Sequence, residues 1–271
     1  MADLSFDTDR PVRLGVQLAP QHHASYAVIR DAVTRLEDMG VDVLFNWDHF
    51  YPLSGDPDGT HFEGWSMLAA WAEQTERVEF GPLVNCNSYR NADLQADMAR
   101  TIDHISKKGG DTGRFIFATG SGWFERDYDE YGYDFGTAGQ RLDALAEALP
   151  RIEARWAQLN PEPTRDIPIL IGGKGEQKTL RLVARHADIW HSFVPAEGLP
   201  GKFDVLKRWA ETEQRDLSTL VISNELKGRG EQDARALFDA GVRLFTFGVS
   251  GPEVDFDGVR RWLDWRDAVN G

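Results

Sequence analysis

The chain has 271 residues, with 44 Asp and Glu against 30 Lys and Arg, a formal charge of -14, 41% hydrophobic content and one cysteine. The acidic surplus opposes nucleic-acid binding, whose phosphate contacts need a basic face, ordinary apolar and charged fractions argue against a disordered chain, and no run reaches the ~20 apolar residues of a membrane-spanning helix. Cys86 has no partner for an internal disulfide and the acidic start MADLSFDTDR lacks the apolar segment of a secretory signal, so a cytoplasmic protein is expected.

No linker, repeat or low-complexity tract divides the sequence, so residues 1–271 are read as a single domain, with residues 1–11 a flexible N-terminal extension. The first strand, VRLGVQLA from Val12, leads into APQHH, which places Gln17, His22 and His23 near the end of that strand. Adjacent histidines in extended chain point opposite ways, so these two do not share a metal easily and are expected to be exposed or to line an entrance. From Tyr26 to Met39 an apolar stripe through Ile29, Val33 and Leu36 predicts a helix, capped by Gly40. The second strand, VDVLFN from Val41, ends in FNWDHFYP, where Asp48 and His49 could hold a cofactor ring, exchange a proton or ligate a metal.

The third strand, VEFGPLVN from Val78, runs into NCNSYRN: Asn85, Asn87 and Ser88 could hydrogen-bond a planar ligand, Arg90 could meet an anion, and Cys86 reads as buried and inert. After the fourth strand, FIFAT from Phe115, the residues Gly120, Ser121 and Gly122 allow a ligand close to the backbone. A long helix follows Thr137, with Leu142, Leu145, Leu149, Ile152, Trp156 and Leu159 on one stripe. The fifth strand, IPILI from Ile167, ends in IGGKGEQKT, where Gly172 and Gly173 precede a helix expected near Gln177 and Lys174 and Lys178 add positive charge, a combination suited to phosphate. In the sixth, DIWHS from Asp188, Trp190 and His191 could wall a flat cofactor, with core packing the competing role for Trp190. TLVISNEL from Thr219, RLFTFGV from Arg243 and a last helix over residues 254–269 bring the count to eight strands and eight helices.

Eight βα units in one undivided chain predict a single (β/α)8 TIM barrel with extended loops at its C-terminal face, where the chemistry of such barrels sits. A doubly wound open sheet is disfavoured because no G-x-G-x-x-G turn follows the first strand. From the residues alone, a metal-dependent or cofactor-free barrel hydrolase using Asp48, His49 and His61 is an alternative to cofactor chemistry, although the H-x-H strand motif is missing and no metal is expected.

With WDHF, LVNCNSYRN, GSGWFERDYDEYG and ILIGGKGEQKT in order at successive strand ends, nearly the whole chain resembles the luciferase-like monooxygenase superfamily, most closely its branch that uses the deazaflavin coenzyme F420. The resemblance implies a (β/α)8 barrel, a homodimer, a small organic substrate at the barrel mouth, and hydride transfer at C5 of the deazaflavin, with an FMN-dependent monooxygenase as the alternative. It implies that Asp48 contacts the polar edge of the ring and that His49 transfers the proton. Val84 and Asn85 would match a non-prolyl cis peptide backing the ring, Ser121 and Gly122 would contact the coenzyme tail, and Gly172 and Gly173 its phosphate. The chain departs from sugar-phosphate-oxidising relatives in having Trp123 where a carboxylate follows the Ser-Gly pair, the nearest acid being Glu125, and Leu53 where they carry a tryptophan. The segment KKGGDTGRF has no functional reading. Because the coenzyme is anionic and the protein acidic, a local basic patch from Arg90, Lys174 and Lys178 is expected over the third and fifth strand ends.

Overall fold

The computed structural model describes residues 10–271. Most of the expected N-terminal extension, residues 1–9, lies outside the described residues. The described chain begins on the barrel, with the Val12 N–H donating to Asn270 Oδ1 at 2.7 Å.

The strands are β1 (Arg13–Leu18), β2 (Val43–Asn46), β3 (Glu79–Pro82), β4 (Asn85–Cys86), β5 (Phe117–Gly120), β6 (Ile169–Gly172), β7 (Ile189–Ser192), β8 (Val221–Glu225) and β9 (Val242–Val249), all parallel. Their order in the sheet is β3-β2-β1-β9-β8-β7-β6-β5-β4. The two ends of that order, β3 and β4, are consecutive pieces of one stretch of chain, so the sheet curls back on itself. The Phe80 N–H donates to the Arg114 carbonyl at 3.1 Å and the Phe80 carbonyl accepts the Ile116 N–H at 2.8 Å, which closes the seam. The expected eight-stranded barrel is present, its third strand divided in two. The interruption holds a cis peptide between Leu83 and Val84, one residue earlier than the Val84–Asn85 position implied by resemblance.

The helices are α1 (Tyr26–Asp38), α2 (Gly64–Gln74), α3 (Ala92–Lys107), α4 (Glu125–Tyr131), α5 (Ala138–Trp156), α6 (Thr179–His186), α7 (Leu199–Glu213), α8 (Glu231–Asp239) and α9 (Phe256–Asn270). The described residues thus carry one α-helix more than the eight expected. The addition is α4, seven residues inside the loop after β5 and too short to announce itself by periodicity. The helix after Thr137 starts with a capping box, Thr137 Oγ1 accepting the Gln140 N–H while Gln140 Oε1 accepts the Thr137 N–H. At the end of α1, Gly40 takes φ +93° and Val41 N–H reaches the Leu36 carbonyl at 3.2 Å, a left-handed cap that a side chain would resist. No helix of the described residues is long and apolar enough to cross a membrane.

Strands buried on both faces need apolar residues on both. Val43, Phe45, Ile116, Ala118, Leu170, Ile189 and Leu244 fill the barrel interior, and a larger shell, including Leu14, Val16, Leu68, Trp71, Phe117 and Trp262, packs between sheet and helices. The segment KKGGDTGRF belongs to this framework. A side chain on Gly113 would meet Asp103 Oδ1 at 2.1 Å, and the Arg114 guanidinium donates to the carbonyls of Ala72, Thr75, Val78 and Ser106, tying the ends of α2 and α3 to the strands.

Candidate functional site

A cavity of about 460 Å3 opens at the C-terminal ends of the strands, within the size range of small-molecule sites. Its floor is the interruption between β3 and β4. Val84 projects between two glycines: a Cβ on Gly120 would lie 2.9 Å from Val84 Cγ2 and one on Gly172 3.2 Å from Val84 Cγ1. Side chains there would displace Val84, so small residues at the ends of β5 and β6 follow from the bulge between β3 and β4. Gly122 is constrained twice over, by φ +82° and by a Cβ position 2.0 Å from Tyr128 Oη and 2.6 Å from Cys86 Sγ. The result is a stretch of cavity wall made of backbone and methyl groups, free of long side chains.

His49 stands in the wall. Its Nδ1 lies 2.7 Å from Asp127 Oδ2, leaving Nε2 as the ring nitrogen available to the cavity. Asp127 is fully buried on α4 and also accepts the Tyr89 hydroxyl at 3.1 Å and the Phe50 N–H at 3.1 Å. The acid that pairs with His49 is therefore Asp127; Glu125 is exposed. The rings of Trp47, Trp123 and Phe124 surround His49 edge-on at centroid distances of 6.0, 5.7 and 5.5 Å. Trp123 and Phe193, 63% and 64% exposed, line the cavity on two different loops.

Asp48 also borders the cavity, but only 1% of it is exposed and both oxygens are engaged: Oδ2 accepts the Cys86 N–H at 3.0 Å and Arg90 Nη1 at 2.7 Å, and Oδ1 accepts Arg90 Nη2 at 3.0 Å. Burial pushes its carboxyl up, with Arg90 and the Cys86 N–H pulling the other way. Arg90 donates in addition to Glu63 Oε1 at 2.8 Å, and against the pull of burial the two carboxylates hold the guanidinium firmly charged. Asp48 thus anchors β4 behind the Val84 floor.

Asn85 and Gly173 border the cavity with their polar groups largely committed. Asn85 accepts from Trp65 Nε1 at 3.0 Å and donates to Gln95 at 2.7 Å, while the Gly173 N–H donates to the His191 carbonyl and its carbonyl accepts Trp190 Nε1 at 2.7 Å. Trp190 itself is fully buried, braces that loop and is not part of the cavity wall. Ser121, Gly122 and Gly172 are in the wall. Lys174 is exposed on the loop that wraps Thr179, where α6 begins, two residues later than expected. His191 lines the cavity with Nδ1 2.8 Å from Ser223 Oγ, and burial lowers its pKa to about 4.

The residues of the hydrolase alternative do not converge: Asp48 is engaged by Arg90, His61, lowered to about 4 by burial, accepts the indole N–H of Trp47 at 3.0 Å, and only His49, through Nε2, is left to the cavity. Nor do the adjacent histidines of the first loop join the cavity. His22 packs its ring under the turn at Gly55 and Gly59, and His23, expected to be exposed or at an entrance, is buried with Nε2 2.9 Å from the Ala19 carbonyl. The expected basic patch is also reduced. Arg90 is matched by Asp48 and Glu63, and Lys178 by Asp143 at 2.6 Å, which leaves Lys174 without an ion pair among the described residues. Reading the sequence missed Asp127, Glu225, Lys227, Thr246 and Gly248, all close to or lining this cavity.

Among solved structures, the chain is similar to an F420-dependent secondary alcohol dehydrogenase in complex with an F420-acetone adduct, with TM-score 0.80 and 15% identity over 95% of this chain and 99% of that one. It is similar to a coenzyme F420 dependent tetrahydromethanopterin reductase from Methanopyrus kandleri, with TM-score 0.70 and 15% identity over 90% and 94%. A third likeness is the oxygenating constituent of 3,6-diketocamphane monooxygenase from Pseudomonas putida in complex with FMN, with TM-score 0.62 and 16% identity over 79% and 67%. At these identities the likeness establishes the fold. By sequence, an uncharacterized protein of Mycobacterium tuberculosis is 26% identical over 163 residues, 52% of this chain and 55% of that protein, so the chain spans about half the length of the curated relatives it matches. The family model for luciferase-like monooxygenases matches residues 11–250, and the chain belongs to that family.

Proposed function

We propose that this protein is an F420-dependent oxidoreductase that moves a hydride between C5 of the deazaflavin and a small organic substrate at the barrel mouth. The observation that carries this reading is His49, held through Nδ1 by buried Asp127 with Nε2 left to the cavity, beside a floor that Gly120 and Gly172 keep open for a flat ring. Deazaflavin supplies two-electron hydride chemistry when bound, and the protein has to supply placement and a proton. Val84 would back the ring. Ser121, Gly122, Gly172, Gly173 and Lys174 would hold the phosphate-bearing tail. His49 would give or take the proton that accompanies the hydride, Asp127 fixing its tautomer and orientation as a carboxylate fixes a catalytic imidazole. A small-molecule partner and a homodimer belong to the same reading, the latter checked by sedimentation.

End-to-end similarity in length and fold to an F420-dependent dehydrogenase supports F420, while FMN is the second reading because an FMN-bound relative shares the barrel. Titration of the purified protein with F420, reduced F420 and FMN, followed by fluorescence, separates them. F420 binding is the expected result; tight FMN binding without response to F420 overturns the proposal.

A further inference from the structure

The half of the cavity formed by β1, β8 and β9 has no part in that reading. Here Gln17, Gly248 and Glu225 meet, on three strands adjacent in the sheet with Gln17 in register with Gly248. A Cβ on Gly248 would lie 3.9 Å from both Gln17 Oε1 and Glu225 Oε1, so the two oxygens flank the space above that glycine. The Gln17 amide orientation is dictated by its neighbour. Nε2 donates to the Leu83 carbonyl at 2.7 Å, an atom that can only accept, so Oε1 must be the acceptor turned toward Gly248. The Glu225 carboxylate is half-buried and receives no hydrogen bond from any described residue. Burial pushes it up, with Lys227 and Arg229 acting against the shift.

Two acceptors facing one space call for a group with at least two hydrogens to donate. A hydroxyl has one; an ammonium has three and also answers the carboxylate charge. We propose that the space over Gly248, between Gln17 Oε1 and Glu225 Oε1, is a substrate subsite for a protonated amine. The subsite deepens the oxidoreductase reading by naming a substrate class, an amine-bearing organic molecule, and rests on that reading only for its role in turnover.

The test uses three probes of one shape, cyclohexylammonium, cyclohexanol and cyclohexanecarboxylate, whose affinities for the full chain are measured by ligand-observed NMR with and without F420. The ammonium is expected to bind about tenfold tighter than either other probe, the size of one charge-assisted hydrogen bond. Glu225→Gln should bring it within about twofold of cyclohexanol. Gly248→Leu, which fills the space without touching charge, should abolish the preference, while both variants titrate with F420 like the unaltered protein. Equal binding of cyclohexanol, preference for the carboxylate, or a preference that survives both substitutions overturns the subsite. If F420 fails to bind while the ammonium preference and its loss in Glu225→Gln persist, the coenzyme reading falls and the subsite stands.

Discussion

His49 and Asp127 form the pair on which the proposed chemistry turns, and their roles are separable. Removing the imidazole in His49→Ala takes away the group that would exchange the proton, a contribution typically worth about 100- to 10,000-fold in rate. F420 affinity should change far less, since the floor and the tail loops are untouched. Asp127→Asn keeps the shape but can pair with either His49 tautomer, so an intermediate loss of turnover is expected, with a shift in the pH profile that a purely structural role would not produce. Stopped-flow turnover and coenzyme titration on both variants check this, and equal losses of rate and affinity in His49→Ala would make it a binding residue. His49 was legible in the sequence because a histidine at the end of a barrel strand already has an address. Asp127 was not, because it is one of four acids in FERDYDE. Only burial against Tyr89 and Phe50, set by tertiary packing of a seven-residue helix, distinguishes it from Glu125, Asp129 and Glu130.

At the scale of elements, the barrel could be read from the alternation of apolar runs and helical stripes, while the break in its third strand could not. VEFGPLVN mixes apolar residues with Glu79, Gly81, Pro82 and Asn85, and its one turn signal, the Gly-Pro pair, lies inside β3 and not at the break, which falls at Leu83 and Val84. What marks the break is the complementary shape of other strands, the glycines of β5 and β6 that accept Val84. This interlock predicts a coupling. Gly120→Ala puts a methyl 2.9 Å from Val84 Cγ2, closer than carbon atoms tolerate, and should cost about 1–3 kcal/mol as overpacking. Val84→Ala alone should cost less than the removal of a closely packed core valine, because its side chain also faces the cavity. Together the two should be more stable than the sum of the single effects predicts, by at least about 0.5 kcal/mol in a double-mutant cycle. Chemical denaturation of the four proteins gives the answer, and strict additivity would mean that the glycine is not there for Val84.

For the whole molecule, the charge of -14 raises the question of how so acidic a protein would hold an anionic coenzyme. A basic rim was the expected answer, and the ion pairs reduce it. Arg90 is held by two carboxylates and Lys178 by Asp143, so most of the expected positive charge is already matched inside the protein. Composition could not show this, because it counts charges without their partners. What remains near the Gly172 loop is Lys174, with Lys227 in the cavity wall after β8, two strands along the sheet from β6. Attraction through one exposed lysine in water is worth about 0.2–1 kcal/mol and is screened by salt, whereas backbone and van der Waals contacts are not. F420 affinity should therefore depend only weakly on ionic strength, falling less than about fivefold between about 50 and about 500 mM NaCl. Lys174→Ala should cost no more than the same factor and remove most of the salt dependence. Lys178→Ala should leave affinity unchanged, since its charge is spent on Asp143. A decline steeper than tenfold, or a large loss in Lys178→Ala, would mean that cations now paired inside the protein turn to face the coenzyme when it binds.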